Sequence, residues 1–121
     1  GLVSGPKNAG YGSAKAAQLH MTRLMAAELG DYDIRVNSVN PDAIIADSKI
    51  WKSGWAKDRA TAYGVPLEDL PQFYANRTLL KEILYTADVA NAVFVFVGGL
   101  LNKSTGNMLN VDGGLAPSFP R

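Results

Sequence analysis

At 121 residues, with 47% apolar and 19% charged side chains, the sequence has ordinary globular composition and room for one domain. Its 12 basic and 11 acidic residues leave a net charge of +1 and are mixed along the chain, which argues against a nucleic-acid or anionic-membrane partner. The absence of cysteine excludes disulfides, thiolate nucleophiles and cysteine-ligated metals, and fits a reducing cytoplasm.

The opening "GLVSGPKNAG" has neither the charged nor the apolar region of a secretory signal, so a cytoplasmic protein is expected. After the loop "SGPKNAG" at 4–10, the segment Tyr11 to Leu29 is rich in Ala, Met, Leu, Lys and Glu. Ala14, Ala17, Met21 and Leu24 recur at helical spacing, predicting a helix that packs on a sheet with its alanines and ends at Gly30. Tyr11 and Lys15, in "YGSAK", stand one turn apart and can face a common cleft. By themselves they fit a capped, solvated helix start equally well. His20, the single histidine, has no Asp, Glu or His cluster at metal spacing, and no metal site is expected.

"IRVNSVN" at 34–40 reads as a short buried strand stopped by Pro41. The stretch from Ser48 to Leu84 is more polar and aromatic, and reads as two short helices separated by "YGVP". A connection this long has a structure and a task of its own, here a lid over about 43–86. Trp51 and Trp55 within it share a helical face, either to cover a substrate or, the better reading, to pack the lid down.

The segment from Asp88 to Leu101 includes the longest apolar run, "AVFVFVGGLL", which is too short to span a bilayer. It carries both strand and helix patterns; Thr86 as N-cap and Asp88 in the first turn favour a helix. Met108, Leu109 and Val111 in "NMLNVDGG" predict a last strand, and the tail "LAPSFPR" an extended one. The order helix, strand, lid, helix, strand is that of an α/β protein whose last elements form a right-handed parallel crossover.

"YGSAK", "RVNSVNPDAI", "DVANAVFVFVGG" and "STGNMLNVDGG", in this order, resemble the C-terminal half of a short-chain dehydrogenase/reductase over essentially the whole chain. The resemblance implies the C-terminal part of a Rossmann-like, doubly wound parallel sheet and a nicotinamide cofactor, NAD, with NADP not excluded. It implies that Tyr11 is the general acid/base, and that Lys15 promotes its ionisation and holds the nicotinamide ribose. Pro41 and the Ile44 backbone match the loop that meets the nicotinamide, where Asp42 replaces the usual glycine. Asp42 therefore contacts the cofactor, binds a substrate hydroxyl or caps a turn. The threonine that follows this loop in the family is missing, with Ser48 a possible substitute.

A narrower resemblance is carried by "NPDAIIADSKIW", "RATAYGV" and "RTLLKE". It points to the dehydrogenase part of the bifunctional rhamnulose-1-phosphate aldolase/alcohol dehydrogenases, and implies a small substrate such as lactaldehyde. The family's glycine-rich phosphate turn and catalytic serine have no counterpart in 1–121. The expectation is a C-terminal segment of a larger enzyme, inactive alone and, with an open strand edge, a homo-oligomer. A non-catalytic oligomerisation module is the alternative.

Overall fold

The structure, a computed structural model, describes residues 9–52 and 54–118, without the side chains of residues 50 and 51. Two units make up the chain: Gly1–Asn40, Ala92–Leu109 and Pro117–Arg121 form the first, and Pro41–Asn91 with Asn110–Ala116 the second. The loop expected at 4–10 lies outside the described residues as far as Asn8, and so does the tail beyond Ser118. Ala116–Ser118 is a 3-10 turn rather than an extended segment.

In the first unit, α1 spans Ala9–Leu29. It is built from strong helix formers with no β-branched run to crowd its turns. Its end departs from expectation. The chain tightens into a 3-10 turn at Gly30–Tyr32, and the left-handed residue that stops it is Asp33 (φ 58°), whose N–H donates to the Gly30 carbonyl at 3.0 Å. A second correction concerns its face. Ala14, Ala17, Met21 and Leu24 are exposed, and Ala26 alone on α1 is buried. The described sheet has only two strands of four residues each, too little surface to cover a helix of 21 residues.

Those strands are β1, Ser38–Pro41, and β2, Met108–Val111. The Gly106 N–H donates to the Val36 carbonyl (2.7 Å), the Ser38 N–H to Asn107 (2.9 Å) and the Asp42 N–H to Val111 (3.2 Å). Both partners advance together, so the pairing is parallel. The strand expected at 34–40 thus begins four residues later. Side chains hold its first half instead: the Val36 N–H donates to Thr105 Oγ1 (3.0 Å), Asn37 Nδ2 to the Ser104 carbonyl (2.9 Å), and the Asn107 N–H to Asn37 Oδ1 (3.1 Å).

Helix α4, Thr86–Val97, precedes β2 and resolves the strand-or-helix ambiguity in favour of helix. Thr86 is its first residue rather than its cap. The Tyr85 N–H donates to Asp88 Oδ2 at 2.8 Å, the carboxylate half of a capping box. Thr86 itself donates to Asp47 through its N–H (3.1 Å) and its hydroxyl (2.6 Å). Behind the helix, Arg35 donates to the carbonyl of Phe96 (2.8 Å), in the last turn of α4, and to those of Leu101 (2.9 Å) and Ser104 (3.4 Å) in the turn that follows, which also accept from the Ser104 N–H and from Asn37 Nδ2.

The second unit contains the expected lid helices, α2 (Gly54–Tyr63) and α3 (Leu70–Ala75). Gly64 (φ +66°) and Pro66 break the chain between them, as "YGVP" predicts. Ala56 and Ala60, one turn apart, let α2 approach closely, and they enclose Leu70 with Ile45 and Tyr74. Leu70 is wholly buried, a contribution of about 2 kcal/mol. Gly113 (φ +63°) passes so near Thr78 that a Cβ would lie 2.8 Å from its Oγ1. Glycine at this position thus allows the turn after β2 to approach the residues after α3 closely.

Arg35→Ala should lower the unfolding free energy by about 2 kcal/mol, since it removes three charge-assisted bonds to carbonyls in and just after the last turn of α4; urea denaturation measures this. The bonds from Thr86 hold the Asp47 carboxyl below its ordinary value of 3.8. A depressed folded-state value stabilises the fold above the unfolded one, and the effect disappears as pH falls through the folded value. Stability should accordingly decline below about pH 4, and Asp47→Asn should flatten that limb of the stability profile.

Candidate active site

Helix α1 presents the first pair. Tyr11 is 64% exposed, and the Lys15 ammonium sits 5.7 Å from its ring centroid. Lys15 also donates to Gln18 Oε1 at 3.1 Å, one turn further along. The two side chains share one face because four residues advance slightly more than one helical turn. A phenol and an ammonium held in this way offer a proton donor and a fixed positive charge to whatever approaches the face. His20, on the same helix, is exposed.

Pro41, Asp42 and Ile44 belong to the second unit, at the end of β1 and in the loop after it. Pro41 is exposed and Ile44 half-buried. The Asp42 carboxylate is engaged: one guanidinium nitrogen of Arg77, Nη2, reaches its two oxygens at 3.0 and 3.4 Å. It caps no turn. Nor does its backbone need glycine, because the non-glycine residues of positive φ among those described are Asp33 and Lys81. Ser48, the possible substitute for the missing threonine, is half-buried.

Arg77 and Asp47 escaped sequence reasoning. Their partners lie 35 and 39 residues away, and no local pattern announces either contact. Arg77 also stacks on Tyr74, its guanidinium carbon 4.2 Å from the ring centroid. Burial pushes the Tyr74 phenol up to about 12, helped by its hydrogen bond with Tyr63, so Tyr74 stays neutral and is no candidate base. A cavity of about 10 Å3 beside it, lined by Asp42, Tyr74, Thr78 and Glu82 among others, has room for about one water molecule.

Trp55 is exposed, with the Arg59 guanidinium 4.9 Å from its ring, so it is not the packing residue expected of the lid; that role falls to Ala56, Ala60 and Tyr74. The Trp51 side chain lies outside the described residues. Among those residues, no helix is long and apolar enough to cross a membrane.

Residues 1–116 match a family model described as enoyl-(acyl carrier protein) reductase. The chain is 42% identical over 120 residues to the uncharacterized oxidoreductase YuxG of Bacillus subtilis, covering 99% of this chain and 17% of that protein. Two solved structures share its fold. Sorbitol-6-phosphate 2-dehydrogenase from Erwinia amylovora superposes with a TM-score of 0.79 at 26% identity, covering 94% of this chain and 44% of that one. A short-chain dehydrogenase from Leptospira borgpetersenii, with bound NAD+, gives 0.66 at 27% identity, covering 90% and 35%. The chain thus spans less than half the length of each of these relatives. With the family model matched over nearly its entire length and the parallel α/β elements in the matching order, this chain belongs to the short-chain dehydrogenase/reductase family.

Proposed function

We propose that this chain is the C-terminal part of a nicotinamide-dependent oxidoreductase acting on a small alcohol or aldehyde, with Tyr11 and Lys15 as its proton-handling pair. The observation that carries the reading is the shared, exposed face of α1, on which the Lys15 ammonium lies beside the Tyr11 ring. Tyr11 would give its hydroxyl proton to the substrate oxygen during reduction and take it back during oxidation. Lys15 would favour the ionised phenol and, having three donors, also hold ribose hydroxyls.

The donor set of α1, an exposed hydroxyl and an ammonium on one face, suits the ribose of a nicotinamide cofactor. When bound, that cofactor would supply or accept the hydride. Pro41, Asp42 and Ile44 would line the nicotinamide loop, with NAD favoured over NADP. The sequence contains no Gly-x-x-x-Gly-x-Gly phosphate turn after a strand, so the adenine half of the cofactor would be held by residues outside 1–121.

The finer reading is a bifunctional protein of rhamnose breakdown, an aldolase joined to a dehydrogenase that converts lactaldehyde. Its support is the pairing of 42% identity with only 17% coverage of YuxG, a relative long enough to carry further domains. Such a protein would be cytoplasmic and homo-oligomeric. One observation favours the alternative of an assembly module without catalysis: Leu24, Phe94, Val97 and Leu100 are large apolar side chains left exposed.

In the full-length polypeptide, Tyr11→Phe should reduce kcat by about 10²–10⁴-fold and leave the unfolding transition in place, since Tyr11 is exposed. Unchanged turnover would favour the assembly module. Titration with NADH, followed by nicotinamide emission or Trp55 quenching, should saturate, and Lys15→Met should weaken it.

A further inference from the structure

The loop after β1 begins with an acidic side chain whose charge is already answered. Its backbone is set first: the Asp42 N–H is bonded to the Val111 carbonyl, continuing the parallel ladder one residue past β1. The carboxylate then meets Arg77 Nη2 at 3.0 and 3.4 Å. Arg77 is itself held from two sides. Its N–H donates to the Tyr74 carbonyl at 3.2 Å, at the end of α3, and its guanidinium lies over the Tyr74 ring.

That ring cannot swing away. Tyr74 is buried, and Tyr63 and Phe73 meet it edge-on at centroid distances of 6.0 and 5.9 Å. A cation placed by a packed ring and a backbone bond is preorganised, so little freedom is lost when it binds the carboxylate. A residue larger than glycine at position 42 is thereby turned into an attachment point.

We propose that Arg77 is a positioning residue for the cofactor loop: through Asp42 it holds the Pro41–Ile44 backbone at one place against α3, in the form that receives the nicotinamide. This rests on the nicotinamide reading above. It also accounts for Asp42 without a direct contact to cofactor or substrate, since its carboxylate is occupied by Arg77.

The test compares Arg77→Met, Asp42→Asn, the double variant and Arg77→Lys in the full-length protein, by amide hydrogen exchange and NADH titration. Arg77→Met keeps an apolar stem on Tyr74 and removes the charge. It should speed exchange at residues 42–45 about tenfold with α2 unchanged, weaken NADH binding about fivefold, and leave kcat at saturating NADH within about twofold. The double variant should be no worse than either single one, because both remove one contact. Arg77→Lys should recover most of the protection, since a single nitrogen makes the bond.

Exchange at 42–45 or NADH affinity left unchanged by Arg77→Met, in a protein that binds NADH, would overturn the positioning role alone. Faster exchange throughout α2 and α3 would do the same by making Arg77 a general structural residue. A wild-type protein that does not bind NADH would overturn the nicotinamide reading, and the positioning role with it.

Discussion

Parallel pairing of β1 with β2 is the constraint on which the other arrangements depend. Parallel neighbours cannot be joined by a tight turn, so the chain between them must leave and return through a crossover. Hydrogen-bonded residues here stand about seventy positions apart, as Asn37 and Asn107 do. With four residues in each strand, the backbone ladder is too short to serve alone. Asn37, Thr105 and Arg35 extend it with side-chain bonds. Arg35 does so by donating to the Phe96 carbonyl in the last turn of α4, which joins the residues before β1 to the crossover helix by a charge-assisted bond.

The loop that follows β1 inherits this definition and adds ties of its own. Asp42 is held by Arg77, Ile45 is buried against Leu70 and Tyr74, and Asp47 accepts two bonds from Thr86. Polar and apolar anchors thus recur every two or three residues. A loop fixed at such intervals presents its backbone in one arrangement, which is what recognition by main-chain groups requires. The same ties explain why aspartate is tolerated where the family commonly has glycine: the position does not use a left-handed backbone.

Helix α1 follows a different logic. Propensity and the spacing of Tyr11 and Lys15 suffice to place both side chains on one face, and they stay accessible. Most of its large apolar residues, Met21, Leu24 and Met25 among them, are exposed as well.

What the sequence alone determined lies within a few residues of itself. The α1 helix, the Tyr11 and Lys15 face, the break at "YGVP" and the strand before Gly113 all depend on neighbours close along the chain. Helical periodicity, proline geometry and glycine's freedom set these locally. Tertiary structure decided the rest. Val36 and Asn37 lie in a run of strand propensity but are tied to residues 104–107 by side-chain bonds, and Gly30 has the residue type of a helix stop while Asp33 supplies it. Arg77 finds Asp42, and Asp47 finds Thr86, across more than thirty residues. Such contacts form only when the crossover has returned the chain to itself, and the energies that choose them are invisible to any window of sequence short enough to read.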